Sequence, residues 1–118
     1  ETIIDGRVTE GNDILSILEA LHPTPAVAGV PCKKALELIS ITESTSRGWY
    51  GGPVGWLDGH GNGQFAVALR TAITVGHDTR IYAGAGIVAD SRPDLEWEET
   101  EWKLRPILGA LGISRDNH

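Results

Sequence analysis

The stretch Gln64-Phe65-Ala66-Val67-Ala68-Leu69-Arg70-Thr71-Ala72-Ile73-Thr74-Val75, followed by Gly76-His77-Asp78, decides the fold class. Phe65, Val67, Leu69, Thr71, Ile73 and Val75 alternate with Gln64, Ala66, Ala68, Arg70, Ala72 and Thr74, the period of a half-buried strand. Gly76-His77-Asp78 reads as a three-residue hairpin loop, after which Arg80 opens a returning strand that runs to about Val88. Upstream, residues 48–57 carry Trp49, Tyr50, Val54 and Trp56 as a strand that turns through Asp58-Gly59-His60-Gly61-Asn62-Gly63. Consecutive strands joined by short loops pair antiparallel.

Outside this block the period is helical. Asn12 or Asp13 caps a helix bearing Ile14, Leu15, Leu18 and Leu21, and Pro23 and Pro25 stop it near His22. Residues 22–30 are expected as a rigid, proline-bounded loop. Pro31 opens a second helix through Ala35, Leu38 and Ile39 to about Glu43. Ser91 and Pro93 start a last helix, about 94–111, kinked or broken at Pro106. Residues 3–8 read as an edge strand or linker. The order ααβββα is an α+β fold, an antiparallel sheet with helices packed on one face.

The chain has 118 residues, one domain's worth, with 41% hydrophobic and 22% charged residues, which excludes a disordered tail. A net charge of −6 argues against a nucleic-acid partner, and no apolar run reaches the length of a membrane span. The single cysteine, Cys32, cannot form an internal disulfide and fits a reducing, cytoplasmic setting. There is no methionine, so the chain is expected to be processed or part of something longer.

Two places could carry chemistry. With Val75 opposite Thr79, Arg70 falls opposite Gly84, and one sheet face carries Ala66, Ala68, Arg70, Ala72, Tyr82, Gly84 and Gly86. That face is bare except for one arginine, whose fork suits a carboxylate; a surface arginine paired with a neighbouring acid satisfies the same pattern. On the last helix Glu96, Glu99, Thr100 and Lys103 share a face, and Trp97, Leu104, Leu108 and Leu111 share another, with Trp97 and Trp102 expected as core. Glu96 and Glu99 offer the hard oxygens that magnesium takes, with Lys103 placed to pair with Glu99 or reach an anion. Alternatively, with Glu98 and Glu101 they form a solvated acidic face at the positive end of the helix dipole. Gly84-Ala85-Gly86-Ile87-Val88-Ala89 matches a dinucleotide fingerprint, but Asp90-Ser91-Arg92-Pro93 interrupts it where a helix must begin. His22, His60, His77 and His118 lack metal-ligand spacing.

Five ordered blocks then carry a resemblance: His22-Pro23-Thr24-Pro25-Ala26-Val27-Ala28-Gly29, Arg47-Gly48-Trp49-Tyr50-Gly51-Gly52-Pro53-Val54-Gly55-Trp56, Phe65-Ala66-Val67-Ala68-Leu69-Arg70, Ala83-Gly84-Ala85-Gly86-Ile87-Val88 and Glu96-Trp97-Glu98-Glu99-Thr100-Glu101-Trp102-Lys103-Leu104. In order and spacing they resemble the C-terminal part of the chorismate-binding enzymes, the anthranilate synthase component I-like fold, over about residues 13–112. Members are some three to four times longer, so the resemblance implies that residues 1–118 are a C-terminal fragment whose partner is the N-terminal part of the same protein. It implies a Mg2+ cofactor, with the position of Glu99 a direct ligand and that of Glu96 nearby through water. It implies that Arg70 and Tyr50 grip the pyruvyl carboxylate of chorismate, and that Gly84 and Lys103 line the site of the other carboxylate. It further implies that the general base, the general acid and another metal carboxylate lie upstream, leaving no catalytic group here and an isolated fragment without activity.

The His22-Pro23-Thr24-Pro25-Ala26 form resembles the isochorismate synthase branch, isomerases that add water at one ring carbon as hydroxyl leaves another and serve menaquinone or siderophore biosynthesis. Lyase relatives have threonine at the position of Ala26, and aminating relatives show a different loop with Pro-Lys in place of Pro31-Cys32. A salicylate, anthranilate or aminodeoxychorismate synthase-type enzyme, or a non-catalytic carboxylate-binding half, are the alternatives.

Overall fold

The computed structural model describes residues 3–113. His118 lies outside them. The elements are α1 (Ile14–Leu21), α2 (Pro25–Ala28), α3 (Cys32–Thr42), β1 (Pro53–Leu57), β2 (Gly63–Val67), β3 (Thr71–Val75), β4 (Asp78–Tyr82) and α4 (Pro93–Ala110). The fold is α+β with antiparallel pairing. Residues 3–8 form no strand.

Local chemistry explains most boundaries. The Asp13 carboxylate accepts from the Ser16 N–H at 2.8 Å, and the Asp13 N–H donates back to Ser16 Oγ, closing a capping box on α1. Asp58 holds the β1–β2 turn by accepting from the backbone N–H groups of His60 and Asn62 and from Asn62 Nδ2. The proline-bounded loop contains the short helix α2, with Pro25 in its first turn. Pro31 caps α3 rather than opening it, and α4 continues unbroken through Pro106.

The sheet differs from the expected single one. The run 64–75 is two strands, because Arg70 has φ +50, in the left-handed region that ends a strand. Just before it, the Ala68 N–H donates to Gly52 O and the Gly51 N–H to Ala68 O, both at 2.8 Å, tying Ala68 to the turn ahead of β1. β2 therefore pairs with β1 and β3 with β4, in two separate two-stranded ladders. The β3–β4 hairpin is tighter by one residue than expected. Gly76, with φ +63, permits a two-residue turn, and Val75 pairs with Asp78 instead of Thr79. That slip flips β4: Tyr82 pairs with Thr71 and Arg80 with Ile73, so the bare face joining Ala72 to Tyr82 does not form. β4 also ends at Tyr82, and residues 83–88 are irregular.

Little of this chain is buried. Among the described residues Ala28 and Ala68 are the buried apolar side chains, and all four tryptophans are more than half exposed. On α4 the half-buried side includes Glu96, Thr100, Lys103, Leu104, Ile107 and Leu108. Trp97, expected in the core, is 69% exposed, and Leu111 is exposed as well. The accessible surface is 9957 Å². A compact monomer of 12.6 kDa exposes about 6,200 Å². The radius of gyration, 17.1 Å, likewise exceeds the roughly 13.5 Å of a self-contained domain of this length.

Candidate active site

An open cavity of about 770 Å³ lies between α2, the segment after α3, the end of β4 and α4. Each wall brings something different. α2 contributes Ala26 and Val27, the segment after α3 contributes Arg47 and Tyr50, β4 ends in Tyr82 followed by Gly84 and Gly86, and α4 contributes Trp97 and Lys103.

The tyrosines form the centre. Their rings stack with centroids 5.6 Å apart and planes 12° apart, and Tyr82 Oη donates to Ser46 O at 3.4 Å. Gly84 lies against this pair. A β-carbon there would sit 2.8 Å from the Tyr50 hydroxyl oxygen, so only glycine fits at the present spacing. Lys103 Nζ donates to Gly84 O at 3.0 Å and pairs with Glu99 Oε1. An ammonium has three N–H donors, so one remains for a ligand. Opposite, Arg47 is neutralised by Glu43, whose carboxyl it holds below the usual range by donating two hydrogen bonds; the same bonds raise the guanidinium.

Of the residues singled out in the sequence, the structure brings Ala26, Tyr50, Gly84 and Lys103 to one cavity. Arg70 is exposed and outside its lining, although its neighbour Leu69 is part of it. Glu99 reaches the site through Lys103. Glu96 lines a second cavity, of about 320 Å³, with Ser91, Trp97 and Thr100, and accepts from Ser91 Oγ at 2.6 Å. Sequence reasoning missed Arg47, Tyr82 and Trp97 as site residues. Arg47 fell within a block of the resemblance and Tyr82 on the expected bare face, neither with a role, and Trp97 was assigned to the core.

Glu96 and Glu99 suit a hard divalent cation in chemistry. Magnesium takes one or two carboxylates with water and substrate oxygens. Each carboxylate leaves its Oε2 without a partner among the described residues. No cluster of three or more His, Cys, Asp or Glu forms among those residues, so the pair would be part of a site.

Comparison with known proteins adds an independent finding. The family model described as "Chorismate binding enzyme" matches residues 1–112. The chain belongs to the chorismate-binding enzymes. It is 48% identical over 114 residues to the isochorismate synthase MenF of Bacillus subtilis, covering 97% of this chain and 24% of that protein. It is 41% identical over 112 residues to anthranilate synthase component 1 of Aquifex aeolicus, covering 95% and 23%. A solved structure assigned as a 2,3-dihydroxybenzoate-specific isochorismate synthase, DhbC, from Bacillus anthracis superposes with a TM-score of 0.83 at 42% identity, over 86% of this chain and 27% of that one. The chain thus spans about a quarter of the length of these chorismate-binding relatives. No helix among the described residues is long and apolar enough to cross a membrane.

Proposed function

We propose that this chain is the C-terminal part of a magnesium-dependent isochorismate synthase and supplies one half of its substrate site. The observation that carries the reading is the meeting of Ala26, Tyr50, Gly84 and Lys103 on one open cavity. Lys103 and the Tyr50 hydroxyl are hydrogen-bond donors suited to carboxylates, and Gly84 keeps the floor free of side chain. Arg70 adds a carboxylate fork once the rest of the protein orders its surroundings. Magnesium, held by Glu99 and Glu96, supplies charge neutralisation at the ring carboxylate when bound. The groups that take and give protons belong to the remainder of the longer protein, which covers the exposed tryptophans and completes the pocket. Alone, this segment does not turn over chorismate.

Ala26 favours hydroxyl exchange over elimination, since its methyl stands where lyase relatives resemble one another in having threonine. The similarity to anthranilate synthase component 1 supports an aminating enzyme as the second reading. Product analysis separates them. The full-length protein with chorismate and magnesium should yield isochorismate as the main product. Salicylate with pyruvate, or anthranilate when ammonia is present, would replace the proposal with the corresponding relative. Absence of any turnover would leave a carboxylate-binding structural half.

A further inference from the structure

Arg47 has no part in the reading above, yet its side chain joins two walls of the cavity. Through Nε and Nη2 it donates to both oxygens of Glu43, at 2.8 and 2.5 Å, in a bidentate fork. Its Nη1 donates to the backbone carbonyl of Val27 at 3.1 Å, across 20 residues of sequence. The same cation lies 5.8 Å from the centroid of the Tyr50 ring. One planar group thereby touches the cap of α3, the backbone of α2 and an aromatic wall of the cavity. Gly51 shows how closely α2 lies on the adjoining turn: with φ +78, a β-carbon there would sit 2.6 Å from Val27 Cγ1.

Glu43 neutralises the guanidinium, whose side chain is only 27% exposed, so this cation is poorly placed to serve as a ligand's counter-ion. Its geometry serves position instead. A lysine would keep an ion pair with Glu43 but lacks the rigid fork that also reaches Val27 O.

We propose that Arg47 is a positioning residue that sets the separation of Ala26 from Tyr50, and with it the width of the cavity in which the carboxylated ring lies. The substrate side of this inference rests on the chorismate reading; the clasp itself does not. Two measurements on the full-length protein test it, using Arg47→Lys and Glu43→Gln. The first is backbone hydrogen exchange without substrate. Loss of a hydrogen bond to a charged group should speed exchange in residues 24–29 and 47–52 about tenfold in Arg47→Lys, leaving α4 unchanged. Unaltered exchange there overturns the proposal whatever the activity. The second is chorismate kinetics per folded site. KM should rise about tenfold in Arg47→Lys with kcat within about twofold, and Glu43→Gln, which keeps the bond to Val27, should shift KM the same way by less. An unchanged KM, with kcat falling only with the folded fraction, would make Arg47 a stability residue and overturn the role. Should Arg47→Lys not fold, Glu43→Gln decides: a raised KM with kcat held and faster exchange in residues 47–52 support the role, and an unchanged KM or unaltered exchange there overturns it. A wild-type protein inert toward chorismate defeats the functional reading, while the exchange result still judges the clasp.

Discussion

Replacing Gly84 by alanine puts a methyl carbon 2.8 Å from the Tyr50 hydroxyl oxygen, where ordinary contact begins at 3.4 Å, so the hydroxyl must retreat by about 0.6 Å. The ring cannot swing away freely, because Tyr82 stacks against it and the Arg47 cation lies over it. The bond from Lys103 Nζ goes to the Gly84 carbonyl and survives the substitution, which isolates the effect on Tyr50. Misplacement of a substrate-positioning group by 1 Å costs about a hundredfold, so 0.6 Å should lower kcat/KM for chorismate roughly tenfold. Tyr50→Phe removes the offending oxygen and leaves Cζ at 3.8 Å from the new methyl, an ordinary contact. Gly84→Ala should therefore add almost nothing in a Tyr50→Phe background, a coupling of about 1.4 kcal/mol. The assay is the four-protein cycle in the full-length enzyme, with circular dichroism on each. Strictly additive losses in folded proteins would refute the contact and its place in the site.

Glu99→Gln should abolish magnesium-dependent turnover, because an amide cannot replace an anionic hard ligand, and Glu96→Gln should be milder; equal, negligible effects at limiting magnesium would return both to a solvated face. Arg70→Gly should leave Tm unchanged or slightly raised, since a non-glycine residue at φ +50 costs about 1–2 kcal/mol that glycine avoids. Turnover should nonetheless fall at least about tenfold if the arginine grips a carboxylate, and full activity would make it a surface arginine. Ala26→Thr should divert part of the product toward salicylate and pyruvate, and isochorismate alone at full rate would show that this position does not discriminate. The depressed Glu43 carboxyl stabilises the fold above its ordinary value of 4.5 and loses that contribution as pH falls through its lower folded value. The Tm advantage of wild type over Glu43→Gln should thus be flat near neutrality and shrink below pH 4.5; an advantage independent of pH would rule out the ion pair as its source.

Elements set by local chemistry were legible from the residues. Asp13 and the prolines at 23 and 25 bracket α1 with groups that act within one turn, and the glycine-rich run 58–63 closes a hairpin wherever it sits. Alternation from 64 to 75 predicted extended chain on both sides of Arg70 but carried no sign of the break, because the bonds that turn it come from Gly51 and Gly52, distant in sequence. The hairpin register turned on whether Asp78 belongs to the loop or the strand, a single residue that composition does not decide. That slip gave Tyr82 the wrong cross-strand partner, Ala72 in place of Thr71, yet Tyr82 and Gly84 both line the cavity, since they lie at and just beyond the end of β4, where the pairing stops.

Trp97 failed for a different reason, and the reason bears on function. Helical periodicity marks a side that avoids water but does not say what covers it. In a self-contained domain such a side meets the domain's own core; here Trp97 is 69% exposed, and Trp49, Trp56 and Trp102 are exposed with it. An accessible surface of 9957 Å² against about 6,200 Å² for a compact protein of this mass locates the discrepancy in the molecule's outside, not in its local structure. Tryptophans and other large apolar side chains exposed in this number mark surface that something else covers. The relatives, about four times longer over the same match, supply a polypeptide large enough to cover it. The same division explains the chemistry within the proposed site. Groups that hold charge in place, Lys103 on α4 and the Tyr50 hydroxyl on the segment after α3, line an open cavity. The proposed hydroxyl exchange needs proton donors and acceptors on both faces of the ring, and in that proposal the groups this segment lacks come from the rest of the longer protein.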